Sequence, residues 1–144
     1  GVAAAPGSSR QAEDSTGAQD EALEKEEGAA MASITLDING VQFAATLEDN
    51  DTAAALAARL PMTLEMSELN GNEKYCYLDE TLPAAAERPG TIEAGDIMLF
   101  GSDCLVLFYE SFSTSYSYTR IGHVDDPSGL AEALGGSSAT VSWG

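Results

Sequence analysis

EAGDIMLFGSDCLVLFYESFSTSYSYTRIGHV, from Glu93 to Val124, is the stretch whose reading decides the fold. Two strand-length apolar runs, Ile97–Phe100 and Cys104–Tyr109, flank a turn at Gly101-Ser102-Asp103. Both arms are apolar without interruption, which predicts a hairpin buried on both faces, or closed into a barrel. Strand alternation sets Leu105, Leu107 and Tyr109 on one face of the second arm, and Val106 and Phe108 on the other. A Ser/Tyr-rich segment follows, and Tyr116–Val124 reads as the next strand.

Working outward, Ser33–Leu47 (SITLDINGVQFAATL) alternates on either side of Asn39-Gly40, the pair that supplies the positive φ angles of a tight hairpin turn. Ile34, Leu36 and Ile38 share one face; Val41, Phe43 and Ala45 share a face of the return strand. Glu48-Asp49-Asn50-Asp51 then precedes TAAALAARL. Asx caps, acids at the positive end and alanine propensity predict a short helix there, with an apolar stripe of Ala53, Leu56 and Leu60, ended by Pro61. Met62–Leu69 alternates again, Asn70-Gly71-Asn72 is a turn, and Glu73–Leu78 is a further strand. Asp79–Gly90, with Pro83 and Pro89, reads as an irregular connection. Asp126-Pro127-Ser128 introduces a second short helix, Gly129–Leu134, stopped by Gly135-Gly136, and Ala139–Trp143 closes the domain as a strand. Many short strands with two short helices predict a mostly-β barrel of about eight strands, its ends capped by the helices.

Charge narrows the partners. The chain carries 24 acidic and 6 basic residues, a net −18. Residues 1–30 hold 7 of the acids and 2 of the bases, which leaves 17 against 4, or −13, for residues 31–144. Arg59, Lys74, Arg88 and Arg120 are the only cations after Met31, too few for the basic patch that neutralises phosphates, so the charge argues against a nucleic-acid partner. No apolar run approaches the ~20 residues of a membrane-spanning helix. Cys76 and Cys104 have no metal-ligand spacing, and His123 stands alone, so neither a metal nor a cofactor is expected. The two thiols pack as small hydrophobes, with a disulfide as the alternative that an exported protein would favour.

Residues 1–30 have the composition of an acidic Ala/Gly/Glu-rich tail or linker, with flexibility as the expectation and Asp20–Glu27 as a short conditional helix. Residues 31–144 form the domain. Gly1 in place of Met suggests a trimmed chain. The tail suits the spacer of an exported or surface-tethered lipoprotein whose signal peptide lies outside the sequence. The alternative is a cytosolic chain starting at Met31-Ala32.

Several blocks in order carry a family resemblance: NGVQFAATLEDN, the helix ending in Leu60-Pro61, and GNEKYCYL with Leu82-Pro83. EAGDIMLF, LVLFY, SYTRIGHV and Leu130–Gly135 complete the series. Residues 33–143 thereby resemble the small bacterial and archaeal cyclophilin-like domain proteins, mostly without an established activity. The resemblance implies a closed cyclophilin-like β-barrel. It does not imply prolyl isomerase activity, because the clustered arginine, phenylalanine, methionine and glutamine of catalytic cyclophilins (F-H-R, then F-x-x-Q) have no counterpart here. Arg120 would have to take the arginine's role from another position.

Candidate chemistry centres on Arg120, with Tyr116 and Tyr118 on its strand face. An Arg fork between tyrosines holds a carboxylate or peptide carbonyl, and the competing role is an ion pair with one of the domain's acids. Tyr75, Tyr77, Phe108, Tyr109, Phe112 and Met66 are expected to line a pocket at the barrel mouth, against core packing as the plainer role, which fits Phe108 better than the tyrosines. Glu73, like Glu65 and Glu110, offers an acid/base carboxyl if buried. The serines at 111, 113, 115 and 117 lack the G-x-S-x-G elbow of a hydrolase. Three functions follow: a domain binding a small ligand or peptide at a Tyr/Arg-lined surface, an atypical peptidyl-prolyl isomerase, and a surface-tethered module that self-associates into a homo-oligomer.

Overall fold

A computed structural model describes residues 32–144. The acidic segment 1–30 and the helix expected within Asp20–Glu27 lie outside the described residues. The remainder gives β1 (Ser33–Ile38), β2 (Val41–Leu47), α1 (Asp51–Ala57), β3 (Met62–Leu69), β4 (Glu73–Tyr77) and β5 (Thr91–Ile92). After these come β6 (Asp96–Phe100), β7 (Cys104–Phe108), β8 (Phe112–Ser113), β9 (Thr119–Val124), α2 (Leu130–Leu134) and β10 (Ala139–Trp143).

Eight strands close into an antiparallel barrel in the order β1-β10-β3-β4-β7-β6-β9-β2, while β5 and β8 form a separate two-stranded ribbon. Closure leaves the barrel without a free edge. The opening hairpin turns at Asn39 (φ 54°) and Gly40 (φ 81°), the two positive angles its sequence requires. Asn50 caps α1, its side chain accepting from the Ala53 amide at 2.8 Å. That helix is a turn shorter than its sequence suggests: the chain leaves it at Ala58, before Leu60.

The connections β2→β3 and β9→β10 cross the barrel, and each carries a helix. Because β2 and β9 are antiparallel, their C-terminal ends, and so α1 and α2, lie at opposite ends of the barrel. Ala53 and Leu56 of α1, and Leu130 and Leu134 of α2, join Leu36, Ile38, Leu99, Leu105, Val141 and Trp143 in the interior cluster. Both helices therefore plug the barrel with apolar side chains.

The α2 end is fixed by a buried charge. Lys74 has no solvent exposure. Its Nζ donates to Glu68 Oε1 at 2.8 Å, to the Gly135 carbonyl at 2.9 Å and to the Ser137 carbonyl. Three acceptors satisfy the three ammonium hydrogens and tie the β3–β4 hairpin to the chain between α2 and β10. Glu68 also accepts from the Tyr109 hydroxyl and the Gly71 amide, both at 2.6 Å.

Strand β7, and β6 as far as Leu99, are buried on both faces, as their uninterrupted apolarity requires. Ile97, Leu99, Leu105, Leu107 and Tyr109 face the interior. Met98, Cys104, Val106 and Phe108 form a second cluster with Ile92 and Tyr118 on the outer side of the wall. Strand β9 begins at Thr119, three residues later than its sequence suggests, and a bulge shifts its pairing with β6: Ile97 faces Gly122, but Met98 faces Arg120. The extra residue, Ile121, is buried inside. Cys76 pairs with Leu105 of the inner row, while Cys104 belongs to the outer cluster. The barrel wall separates the two thiols, and both are free.

At Gly122 a Cβ would collide with the Thr46 carbonyl and approach Leu47 Cα at 3.0 Å. Both obstacles are backbone of the adjoining β2, which cannot yield without opening the barrel. Gly122→Ala should therefore lose about 2 kcal/mol in urea unfolding. A change below about 0.5 kcal/mol, the range of a neutral surface substitution, would contradict this account of the β2–β9 seam.

Candidate functional site

The register of β4 on β7 lays out the outer wall. Glu73 sits opposite Phe108, Tyr75 opposite Val106, and Tyr77 opposite Cys104. Met98 and Phe100 of β6 continue two of these rows. Above the wall runs the chain from Phe112 to Tyr118, held at both ends. At one end β8 pairs with β5, and Thr114 N–H donates to the Gly90 carbonyl at 2.9 Å. At the other, Tyr118 and Glu87 exchange backbone hydrogen bonds of 2.9 and 3.0 Å.

Between wall and segment opens a cavity of about 580 Å³, within the size range of small-molecule sites. Tyr75, Tyr77, Phe100, Phe112, Tyr116 and Tyr118 supply its aromatic lining. The rings form a connected set: Tyr118 meets Phe108 edge-on at 5.5 Å and Phe100 at 5.6 Å, and Phe100 meets Tyr116 edge-on at 6.1 Å. Tyr75 and Tyr77 make another edge contact at 6.0 Å. Such pairs hold one another's orientation beyond simple burial.

One carboxyl lies in this lining. Glu73 is 8% exposed and, among the described residues, has neither a hydrogen-bond donor nor an ion-pair partner. Burial, with the nearby Glu68 charge adding to it, pushes its pKa up to about 6. Glu68 moves the other way. Burial raises it, but hydrogen bonds from Lys74, Tyr109 and Gly71 outweigh that and hold it below the usual range. Asn72, also on the lining, has its side-chain oxygen buried without a partner. Burial raises the Tyr118 hydroxyl and lifts the Cys104 thiol to about 11, so both stay neutral near pH 7.

Six of the expected site residues meet here: Glu73, Tyr75, Tyr77, Phe112, Tyr116 and Tyr118. Three do not, and the cavity is on the outer wall rather than at the barrel mouth. Met66 is fully buried in the interior cluster, since its face of β3 points inward. Tyr109 also faces inward, spending its hydroxyl on Glu68 beneath the Lys74 ammonium, which stands 5.4 Å from its ring centre. Arg120 shares the outer face through its pairing with Met98, yet is absent from the lining. It also takes no part in the described ion pairs, Arg59–Glu80 at 3.2 Å, Lys74–Glu68 at 2.8 Å and the looser His123–Asp125. Tyr116, Tyr118 and Arg120 do not present one continuous strand face, because regular pairing with β6 starts only at Thr119. Glu65 and Glu110 are exposed, and Glu65 accepts from Thr140 on the outer surface of β3. Among the described residues no three His, Cys, Asp or Glu side chains gather as a metal site would need.

Sequence reading missed Leu69, Asn70, Asn72, Phe100, Cys104 and Val106 in the lining. Phe100 was the readable one, an aromatic residue at the exposed end of an otherwise buried strand.

The model for the cyclophilin-like family matches residues 36–144. The chain belongs to the cyclophilin-like family. The solved structure of the hypothetical protein AF2241 from Archaeoglobus fulgidus is similar at 15% identity and a TM-score of 0.52, over 83% of this chain and 98% of that one. At that identity the likeness shows the fold alone, the cyclophilin-like barrel. No curated protein matches the chain.

Glu73 makes stability depend on pH. Its folded pKa lies above its ordinary value, so the native state holds the proton more tightly than the unfolded chain. Ionising Glu73 therefore destabilises the fold as pH rises from about 4.5 to above 6, and the penalty vanishes below that window. Glu73→Gln should unfold later than the wild type at pH 7.5, by on the order of 1 kcal/mol, and equally at about pH 3.5, below the window. A variant less stable at pH 7.5 would show that the carboxylate is held by a favourable partner instead.

Proposed function

We propose that this cyclophilin-like domain binds a small organic ligand in the outer-wall cavity, with aromatic side chains gripping its apolar body. One observation carries the reading. Of the five large apolar residues left exposed among the described residues, Leu69, Tyr77, Phe100 and Tyr116 all rim this cavity, and only Val41 lies elsewhere. Scattered exposed apolar residues need no explanation, but a patch gathered around a concavity is the mark of an interaction site. A small ligand is favoured over an extended peptide because the cavity, about 580 Å³, is of small-molecule size, and the barrel wall beneath it has no free edge for an added strand. With Arg120 outside the lining, nothing in the cavity favours the isomerase reading.

Tyr77 and Tyr116 are 65% and 64% exposed, so their removal tests binding without touching the core. The neutral dye Nile red should bind with one-to-one stoichiometry and a blue-shifted emission. Tyr77→Ala with Tyr116→Ala should weaken it about tenfold at an unchanged Tm. Equal affinity in the double variant overturns the reading. So does a concentration-dependent dimer in sedimentation that the double variant dissolves, since the rim would then be an interface between copies.

A further inference from the structure

The lining contains one ionisable acid, an unpartnered amide oxygen and no basic side chain. Of the domain's four cations, Lys74 is spent on Glu68 and two carbonyls at the α2 end, and Arg59 reaches Glu80. Arg88 and Arg120 are not in the lining. A carboxylate removed from water is costly unless a charge or donor compensates it, and the described residues provide neither to Glu73. The compensation is left to whatever enters the cavity.

We propose that the cavity selects organic cations: a protonated amine whose N–H groups meet the Glu73 carboxylate and whose body lies among Tyr75, Tyr77, Phe100 and Tyr116. This rests on the ligand-binding reading above. It adds the sign and donor character of the ligand. Aromatic faces attract a cation through their quadrupoles, and the attraction grows when water is excluded. An ammonium also brings the donors that a carboxylate without internal partners requires. The net −13 of residues 31–144 draws cations toward the domain and repels carboxylates and phosphates.

The titratable groups coupled to Glu73 are few. Glu68 stands at the barrel end with Tyr109, while Tyr118 and Cys104 lie along the outer wall. Glu68 is held ionised by its hydrogen bonds, and burial keeps Tyr109, Tyr118 and Cys104 protonated, so between pH 5 and 8 Glu73 is the group among them that changes charge. Amine binding should be full above pH 6 and fall away below it, as Glu73 takes up its proton while the amine stays charged.

The test is calorimetric titration of the whole chain with three probes of similar size: 2-phenylethylammonium, 2-phenylethanol and 3-phenylpropanoate. At pH 7.5 the ammonium should bind about tenfold or more tightly than the alcohol, with the carboxylate weakest. Glu73→Gln should erase the difference between ammonium and alcohol. If the variant does not fold, the wild type at pH 5 gives the same readout, and loss of the ammonium's advantage is again the expected result. Equal binding of ammonium and alcohol at pH 7.5, or an advantage untouched by both Glu73→Gln and acid, overturns the cation proposal. Nile red binding without any of the three probes also overturns it while sparing the cavity reading. Failure of all four ligands overturns both.

Discussion

Strand β7 has water on neither side, and the rest of the molecule is arranged around that fact. Its odd and even residues enter two different cores, one inside the barrel and one outside it. The inner row asks only for a closed barrel. The outer row asks for a cover, which the chain supplies by laying β5, β8 and the approach to Tyr118 across the wall. The cover is incomplete over β4 and the end of β6, and the cavity is the gap it leaves.

The barrel's two polar acids near β4 show how environment divides chemistry between similar groups. Glu68 collects an ammonium, a phenol and an amide, and becomes a structural anchor for the α2 end. Glu73, five residues on and pointing to the opposite side of the wall, collects no partner among the described residues. Burial without partners raises a carboxyl's pKa, and partners lower it. The contrast separates the group that holds the fold together from the one free to meet a ligand.

Much of the fold was legible because local signals agreed with one another. Asn39-Gly40 named its turn, the Asp/Asn run before TAAALAARL named a helix start, and the unbroken apolarity of Ile97–Phe100 and Cys104–Tyr109 required two-sided burial. The site was legible only in part. Period-two alternation says that Met66 shares a face with Met62 and Leu64, but not whether that face is inside. It likewise separated Tyr109 from Phe108 without saying which of them met the interior. The register of β4 on β7 decides the composition of the outer wall, and no residue of either strand announces that register. Lys74 gave no local sign of burial, because two of its acceptors are backbone carbonyls about sixty residues away. Arg120 drew notice as a lone cation beside tyrosines, and the bulge at Ile121, invisible in the sequence, sets the pairing around it.

The central claim is that a ligand enters the outer-wall cavity rather than the barrel. The most direct measurement is backbone amide chemical-shift mapping of the isotope-labelled chain with 2-phenylethylammonium at neutral pH. The account predicts saturable shifts concentrated at Leu69–Tyr77, Phe100–Cys104 and Phe112–Tyr118, with β1 and β10, elsewhere in the barrel wall, unmoved. Shifts centred on β1, β10 and Met66, or gathered around Arg120 and His123 instead, would contradict it.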